Sequence, residues 1–273
     1  MFSVIPGFRL SLGITLTYLG FIVLLPIAAL LLQASDVGLV RYWAIITSPR
    51  TLAAFQITIG AAAAATLFNA VYGLMLAWVL VRYEFPGRRL LDTLVDIPFA
   101  LPTAVAGIAL TALFAKNGWF GAPLAVWGIE VAYAPAGIVC AMAFTSIPFV
   151  VRTVQPVLED LEADVEEAAT TLGASSLRVF LTVILPAIFP AFLAGASLAF
   201  ARSLGEFGAV VFIAGNQPFR TEIVALLTFI RLEEYDYAAA AAIAATMLGF
   251  AFLMLLAVNL IQAWHQRRAI RED

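Results

Sequence analysis

The sequence is poor in the side chains that do chemistry. Its 273 residues include one cysteine (Cys140), one histidine (His265) and one lysine (Lys116). A single cysteine excludes an intrachain disulfide. Neither it nor His265 has the clustered neighbours a metal site needs, and His265 reads as a solvated tail residue. The chain has no His-Glu-x-x-His, no pair of catalytic carboxylates inside an apolar segment and no Gly-x-x-x-x-Gly-Lys-[Ser/Thr] phosphate loop. An intramembrane enzyme is therefore disfavoured. Charge is scarce too. Charged residues make up 12% and the net charge is -3, against about 25% charged residues in soluble domains. That excludes a polycation built for nucleic acid. The N-terminal "MFSVIPGFRLSLG" lacks a small-residue cleavage site, so the first apolar run is expected to be retained as a membrane helix.

What the chain does have is apolar residues, at 63%, with a mean hydropathy of +0.99. A helix needs about 20 apolar residues to cross about 30 Å of hydrocarbon. Six runs meet that length: Leu12–Gln33, Leu52–Val81, Leu91–Ala115, Ala134–Val154, Pro186–Ile213 and Ala238–Ala263. The expectation is an all-α integral membrane protein with six transmembrane helices. They form a single transmembrane domain over 1–273, with no soluble domain left over.

The basic residues set the orientation. With the N-terminus in the cytoplasm, Arg9, Arg82, Arg88, Arg89, Arg152, Arg178, Arg267, Arg268 and Arg271 fall inside. Arg41, Arg50, Lys116, Arg220 and Arg231 fall outside. The excess favours both termini in the cytoplasm. Trp78 and Trp264 then lie at the inner interface, and Trp43, Trp119 and Trp127 at the outer one.

The loop 155–185 on the cytoplasmic side has internal order. Leu158, Leu161, Val165, Ala168, Ala169 and Leu172 recur at spacings of three and four, the pattern of one apolar helix face. Glu159, Asp160, Glu162, Asp164 and Glu166 occupy much of the remainder. Gly173 stands where a C-terminal cap belongs, and Ser175 or Ser176 where a second helix would be capped. Pro186 suits the first turn of the next membrane helix. Such a hairpin is either a solvated connector or a docking element. Acidic residues are repelled by anionic lipid, which favours a protein partner over a membrane surface.

The stretch "EAATTLGASSLRVFLTVILP" resembles the loop signature of permease subunits in binding-protein-dependent ATP-binding-cassette (ABC) importers. The matching positions are Glu167, Ala168, Ala169, Gly173, Val183, Leu185 and Pro186, with Val183 where isoleucine is usual. Further stretches, "DIPFALPTAVAGIAL", "AMAFTSIPFVVRTVQPVLE", "FARSLGEFGAVVFIAGN" and "FIRLEEYDYAAAAAIA", resemble sulfate/thiosulfate permeases of the T type across nearly the whole chain. Molybdate and tungstate permeases share the Arg-x-x-Gly-Glu-Phe-Gly stretch, so they remain an alternative. A gradient-driven secondary transporter, which would need no docking loop, is the alternative from another class.

The resemblance implies a type I ABC importer permease fold in a bacterial inner membrane. It implies that 155–185, with Glu166, Glu167, Ala168, Ala169, Gly173, Leu185 and Pro186, forms the coupling helices that enter a cleft of an ATPase. It implies a second permease subunit, a paralogue forming a heterodimer, and two ATP-binding subunits that hold ATP-Mg. A periplasmic sulfate/thiosulfate-binding protein would deliver the anion. This chain itself would bind no cofactor.

Two features inside apolar runs have both a plain and a functional reading. Arg202 and Glu206 are four apart, where a helix would pair them on one face. They are either a self-neutralised packing pair, or a waypoint in which Arg202 meets a dianion and Glu206 holds or gates it. Gly205 and Gly208 flank the glutamate and permit a bend. Pro98 and Pro102 in "IPFALPTAVAG" free backbone carbonyls, and Gly107 allows close helix approach. That segment is either a kinked packing helix or a lining of the anion path. Arg220 and Arg231, in the outer segment, are either surface charge or contacts for a binding protein.

Overall fold

The structure is a computed structural model and describes residues 8–272. The side chains of Arg9, Trp264, His265, Arg267, Arg268 and Arg271 lie outside the described residues, as do Met1–Gly7 and the expectations placed there. All regular structure among the described residues is helical. Helices α1 (Phe8–Leu19) and α2 (Leu25–Ser35) form one rod, joined by a wide π-helical turn at Gly20–Leu24. The short α3 (Leu39–Ile46) precedes α4 (Pro49–Arg82), the first long central helix. Ser48 caps α4 by accepting from the Thr51 amide, and Pro49 opens its first turn, where its missing N–H costs nothing.

The expected span Leu91–Ala115 is not one helix. It divides into α5 (Arg88–Val95), α6 (Ile97–Ala100) and α7 (Thr103–Phe114). Proline is the cause. Leu101, held extended ahead of Pro102 at φ −83° and ψ 132°, cannot continue a helix. The 12 residues of α7 rise only about 18 Å. Among the described residues, six expected spans thus become five helices long and apolar enough to cross a membrane, plus this broken one. After α8 (Gly121–Val126) comes α9 (Pro135–Glu159), which carries Pro148 and Pro156 and is the most buried of the long helices.

The loop expected on the cytoplasmic side follows as α10 (Ala163–Thr171) and α11 (Ser176–Val179). A second π-helical turn, Phe180–Ile184, leads without a break into α12 (Leu185–Leu204). Pro186 stands in the first turn of α12 as expected, but α12 runs on from the wide turn as one continuous rod. Leu185 donates to the Phe180 carbonyl, five residues back. The other wide turn also ends one residue before a proline, with Leu25 donating to Gly20 and Pro26 following. A proline ring collides with the carbonyl four residues earlier, and widening the turn relieves that collision.

The expected span Pro186–Ile213 also breaks. It stops at Leu204, and the chain resumes as α13 (Gly208–Ile213). Then come α14 (Val224–Glu233) and α15 (Tyr237–Glu272). At the centre, α4, α9 and α12 pack on one another, while α13 packs on α7, and α15 lies against α2, α12 and α14. Two glycines make the α7–α13 contact possible. A Cβ on Gly107 would lie 2.4 Å from the Ala209 carbonyl oxygen, and one on Gly208 would lie 2.1 Å from Thr103 Oγ1.

Candidate functional site

The Arg202–Glu206 pair forms, but not on one continuous helix. Arg202 lies in the last turn of α12, Gly205 terminates it, and Glu206 occupies the gap before α13. Glu206 is 1% exposed. Its Oε1 accepts from the Ala209 amide at 2.9 Å, satisfying one of the orphan donors at the start of α13. Its Oε2 lies 2.8 Å from Arg202 Nη1. That contact is off the line of a hydrogen bond, so the attraction is that of an ion pair. Arg202 keeps about a third of its side chain exposed, at 32%.

Glu206 is thus held from both sides, and Arg202 is the half of the pair that remains accessible. Thr103, next to Pro102 in the chain, meets Gly208 two residues beyond Glu206. Pro102 and the Arg202–Gly205–Glu206 turn therefore belong to one assembly of half-helices. Pro98 is placed elsewhere: its helix α6 rests on α9 through an edge-to-face contact of Phe99 with Phe149.

Behind the pair, three central helices share a buried polar junction. Asn69 Nδ2 on α4 donates to Ser146 Oγ and the Ala143 carbonyl on α9, at 2.8 and 3.0 Å. Ser203 on α12 donates to the same Ser146 oxygen at 3.1 Å. The residue beside Arg202 thus anchors α12 to α9 and, through Ser146, to α4. No reading of hydropathy could find this junction, because single Asn and Ser residues in apolar runs are common.

The expected cytoplasmic side carries a saturated arginine. Arg152 Nε and Nη2 grip both oxygens of Asp96 at 2.8 and 2.7 Å. Its Nη1 reaches Asp92 Oδ1 and Gln155 Oε1, both at 2.6 Å, and Nη2 also reaches the Asp92 carbonyl at 2.7 Å. This ties the α5–α6 break to α9. The sequence marks each side of this contact, Asp92 and Asp96 spaced for one face and Arg152 a lone charge in "IPFVVRTVQPV", but not their pairing.

At the opposite end, Arg50 makes a bidentate pair with Glu222, which is 1% exposed, at 2.8 and 2.6 Å. Thr58 accepts from the Val224 amide. Arg41 pairs with Asp236, and Lys116 with Glu130 at 2.7 Å. The Lys116 ammonium, by hydrogen bond and then by charge, holds the Glu130 carboxyl below its ordinary range. Arg231 is paired with Glu234.

The loop 155–185 departs from its expected helix in length. Leu158 is buried at the end of α9, and Leu161 lies in the connection, so the loop helix covers only 163–171. Gly173, at φ +85°, closes it. The Ala174 amide donates to Ala169 and the Gly173 amide to Thr170, the bond pair of a Schellman cap. Ser175 holds the cap position of α11 without a side-chain bond. Glu166 pairs with Arg82 at the end of α4. Glu167, Ala168 and Val165 are exposed, and Leu172 is 89% exposed beside an open Leu177. Leu185 is half-buried and Pro186 exposed.

Residues 70–271 match the family described as "Binding-protein-dependent transport system inner membrane component". This chain belongs to that family. Among curated members, it is 54% identical to the sulfate transport system permease protein CysT of Salmonella typhimurium, over 98% of this chain and 96% of that one. It is 53% identical to the protein of the same name from Escherichia coli, over the same shares. The crystal structure of a bacterial alginate ABC transporter, in complex with alginate pentasaccharide-bound periplasmic protein, superposes with a TM-score of 0.77. That match covers 93% of both chains at 16% identity. The fold is accordingly that of type I ABC importer permeases, and the chain is a multi-pass membrane protein of this transport family.

Proposed function

We propose that this chain is a transmembrane subunit of an ATP-driven importer that carries sulfate or thiosulfate across a bacterial inner membrane. The observation that carries the reading is its 54% identity, along 98% of its length, to a sulfate transport permease. The partners that follow are a second permease subunit, two ATPase subunits holding ATP-Mg, and a periplasmic binding protein. The exposed run of Val165, Ala168 and Leu172, continued by Leu177, supports docking of α10 in an ATPase cleft, because apolar side chains in water gain by being covered. Closure of the ATPases would move α10 and tilt the central helices, exposing the path to each side in turn. Arg202 is the positive group offered to the dianion, with Glu206 holding it. Labelled sulfate and molybdate uptake in a strain lacking the chain is the test. Sulfate uptake restored by the chain with its partner subunits supports the reading. Restoration of molybdate uptake alone refutes it.

A further inference from the structure

Four side chains run in contact from α10 to the root of α12. Glu166 on α10 pairs with Arg82, the last residue of α4. The Arg82 guanidinium lies over the Trp78 ring, 5.5 Å from its centroid. Trp78 meets Phe180 edge-on, with centroids 5.4 Å apart and planes at 83°. Phe180 opens the wide turn Phe180–Ile184, which leads directly into α12. Among the described residues, no other ion pair joins α10 to the bundle.

The chemistry of each link favours transmission. The Arg82 and Glu166 side chains are only 22% and 23% exposed, so water screens their attraction less than at an open surface. Glu166 also lies in the first turn of α10, where the helix dipole favours an anion. A planar guanidinium over an indole resists sliding in a way that a flexible ammonium does not. The last link falls on the one part of the α11–α12 rod with a widened turn. A helix changes direction or register there at less cost than within regular α turns.

We propose that Arg82 is the positioning residue that carries displacement of α10 through Trp78 to Phe180, turning α12 and with it Arg202. This rests on the reading above that α10 docks on an ATPase. The wide turn at Phe180–Ile184 is the element with two arrangements, and the Glu166–Arg82–Trp78–Phe180 contacts bias it.

The test uses the full transporter in liposomes: this permease, its partner permease, the ATPase subunits and the binding protein. Arg82→Glu, Glu166→Arg and the double exchange are compared for ATP hydrolysed and for sulfate moved. Each single reversal should lower sulfate moved per ATP by about tenfold, the scale of a typical coupling free energy, while hydrolysis continues. The double exchange should recover only part of that ratio, because it restores the ion pair but removes the guanidinium from over Trp78. Trp78→Leu should lower the ratio with the ion pair intact. Unchanged ratios in the single reversals overturn the relay. So does a loss of hydrolysis and uptake in proportion to a lower yield of complex, which marks a structural pin.

A second measurement does not depend on the substrate. Spin labels at the exposed positions 108 on α7 and 198 on α12, in a Cys140→Ala background, should change separation on ATP addition fully in the wild type, partly in the double exchange and least in the single reversals. An equal change in the single reversals also overturns the relay. If wild-type liposomes show this ATP-driven change but no sulfate uptake, the sulfate reading fails and the relay stands.

Discussion

The amide of Ala209 donates to Glu206 Oε1 at 2.9 Å, across the break between α12 and α13. Glu206 therefore does two jobs at once, since its other oxygen faces Arg202. Removing Arg202 alone would leave a buried carboxylate without its cation. Taking one partner from a buried pair costs roughly 3–5 kcal/mol, and the part-exposure of Arg202 puts this case near the lower end, at about 3 kcal/mol. Arg202→Ala is expected to lose uptake and also stability. Arg202→Ala with Glu206→Gln should regain most of the stability, because a glutamine oxygen still accepts from Ala209. Thermal unfolding in detergent and uptake, measured on both variants, separate the two effects. Wild-type-like uptake by the double variant would sink the role of Arg202 as an anion waypoint.

Arg152 holds Asp92 and Asp96 with a fork that lysine lacks. Arg152→Ala should destabilise the protein by about 1 kcal/mol, since both aspartates are partly open to water, with Arg152→Lys in between. The effect should be local. Hydrogen exchange should quicken over residues 92–101 before it does in α4. Unchanged exchange there would mean the proline break holds its shape without the arginine.

The α7–α13 crossing should punish added atoms. Gly107→Ala puts a methyl group against the Ala209 backbone, and Gly208→Ala puts one against Thr103 Oγ1. Each is expected to cost about 1–3 kcal/mol. Thr103→Ala should relieve the second more than the first. Gly60 is the control: nothing lies within 4 Å of its added Cβ. Gly60→Ala should be neutral or stabilising by up to about 1 kcal/mol, from helix propensity alone. Unfolding midpoints of the five variants provide the check.

Asn69, Ser146 and Ser203 should behave as one unit. Asn69→Leu and Ser203→Ala are each expected to cost about 1 kcal/mol, since each removes one donor to Ser146 Oγ and leaves the other. Together they should cost more than their sum, by at least about 0.5 kcal/mol, because only then does the Ser146 oxygen lose both donors. Strict additivity would show that the junction is not cooperative.

On the opposite face of the bundle, Lys116 holds the Glu130 carboxyl low. A lowered folded pKa means that this pair's contribution exists at neutral pH and fades as pH falls through that value. Lys116→Ala should raise the Glu130 titration towards that of an ordinary glutamate in carbon-detected NMR. Its effect on the unfolding midpoint should be slight, because the pair is open to water.

Much of this architecture is legible in the sequence, and the failures have a common origin. Hydropathy finds apolar length, so it located the long helices around Leu52–Val81, Ala134–Val154 and Ala238–Ala263. It does not register the backbone. Leu91–Ala115 reads as one run, although Pro102 fixes Leu101 in an extended form. Pro186–Ile213 reads as one run, although Gly205 ends the helix. Gly173 was readable because its job is local: a turn with positive φ. The Arg202–Glu206 spacing gave the right partners for an incomplete reason, since their contact spans a helix end. Arg152 with Asp96, and Arg50 with Glu222, join residues 56 and 172 apart. No local pattern contains such pairs, and only packing brings them together.

A wide turn holds one residue more than an α turn, and each residue advances a helix by about 100°. The chain between Phe180 and Ile184 therefore carries a surplus residue, and it fixes the azimuth of every side chain downstream. Shortening that stretch by one would let α11 and α12 run as a regular helix of nearly the same length. Arg202 would then be turned about a quarter of a revolution relative to α4 and α9, which precede the turn. The direction in which this transporter presents its intramembrane cation is thus set some twenty residues upstream, by the count of residues in a single turn.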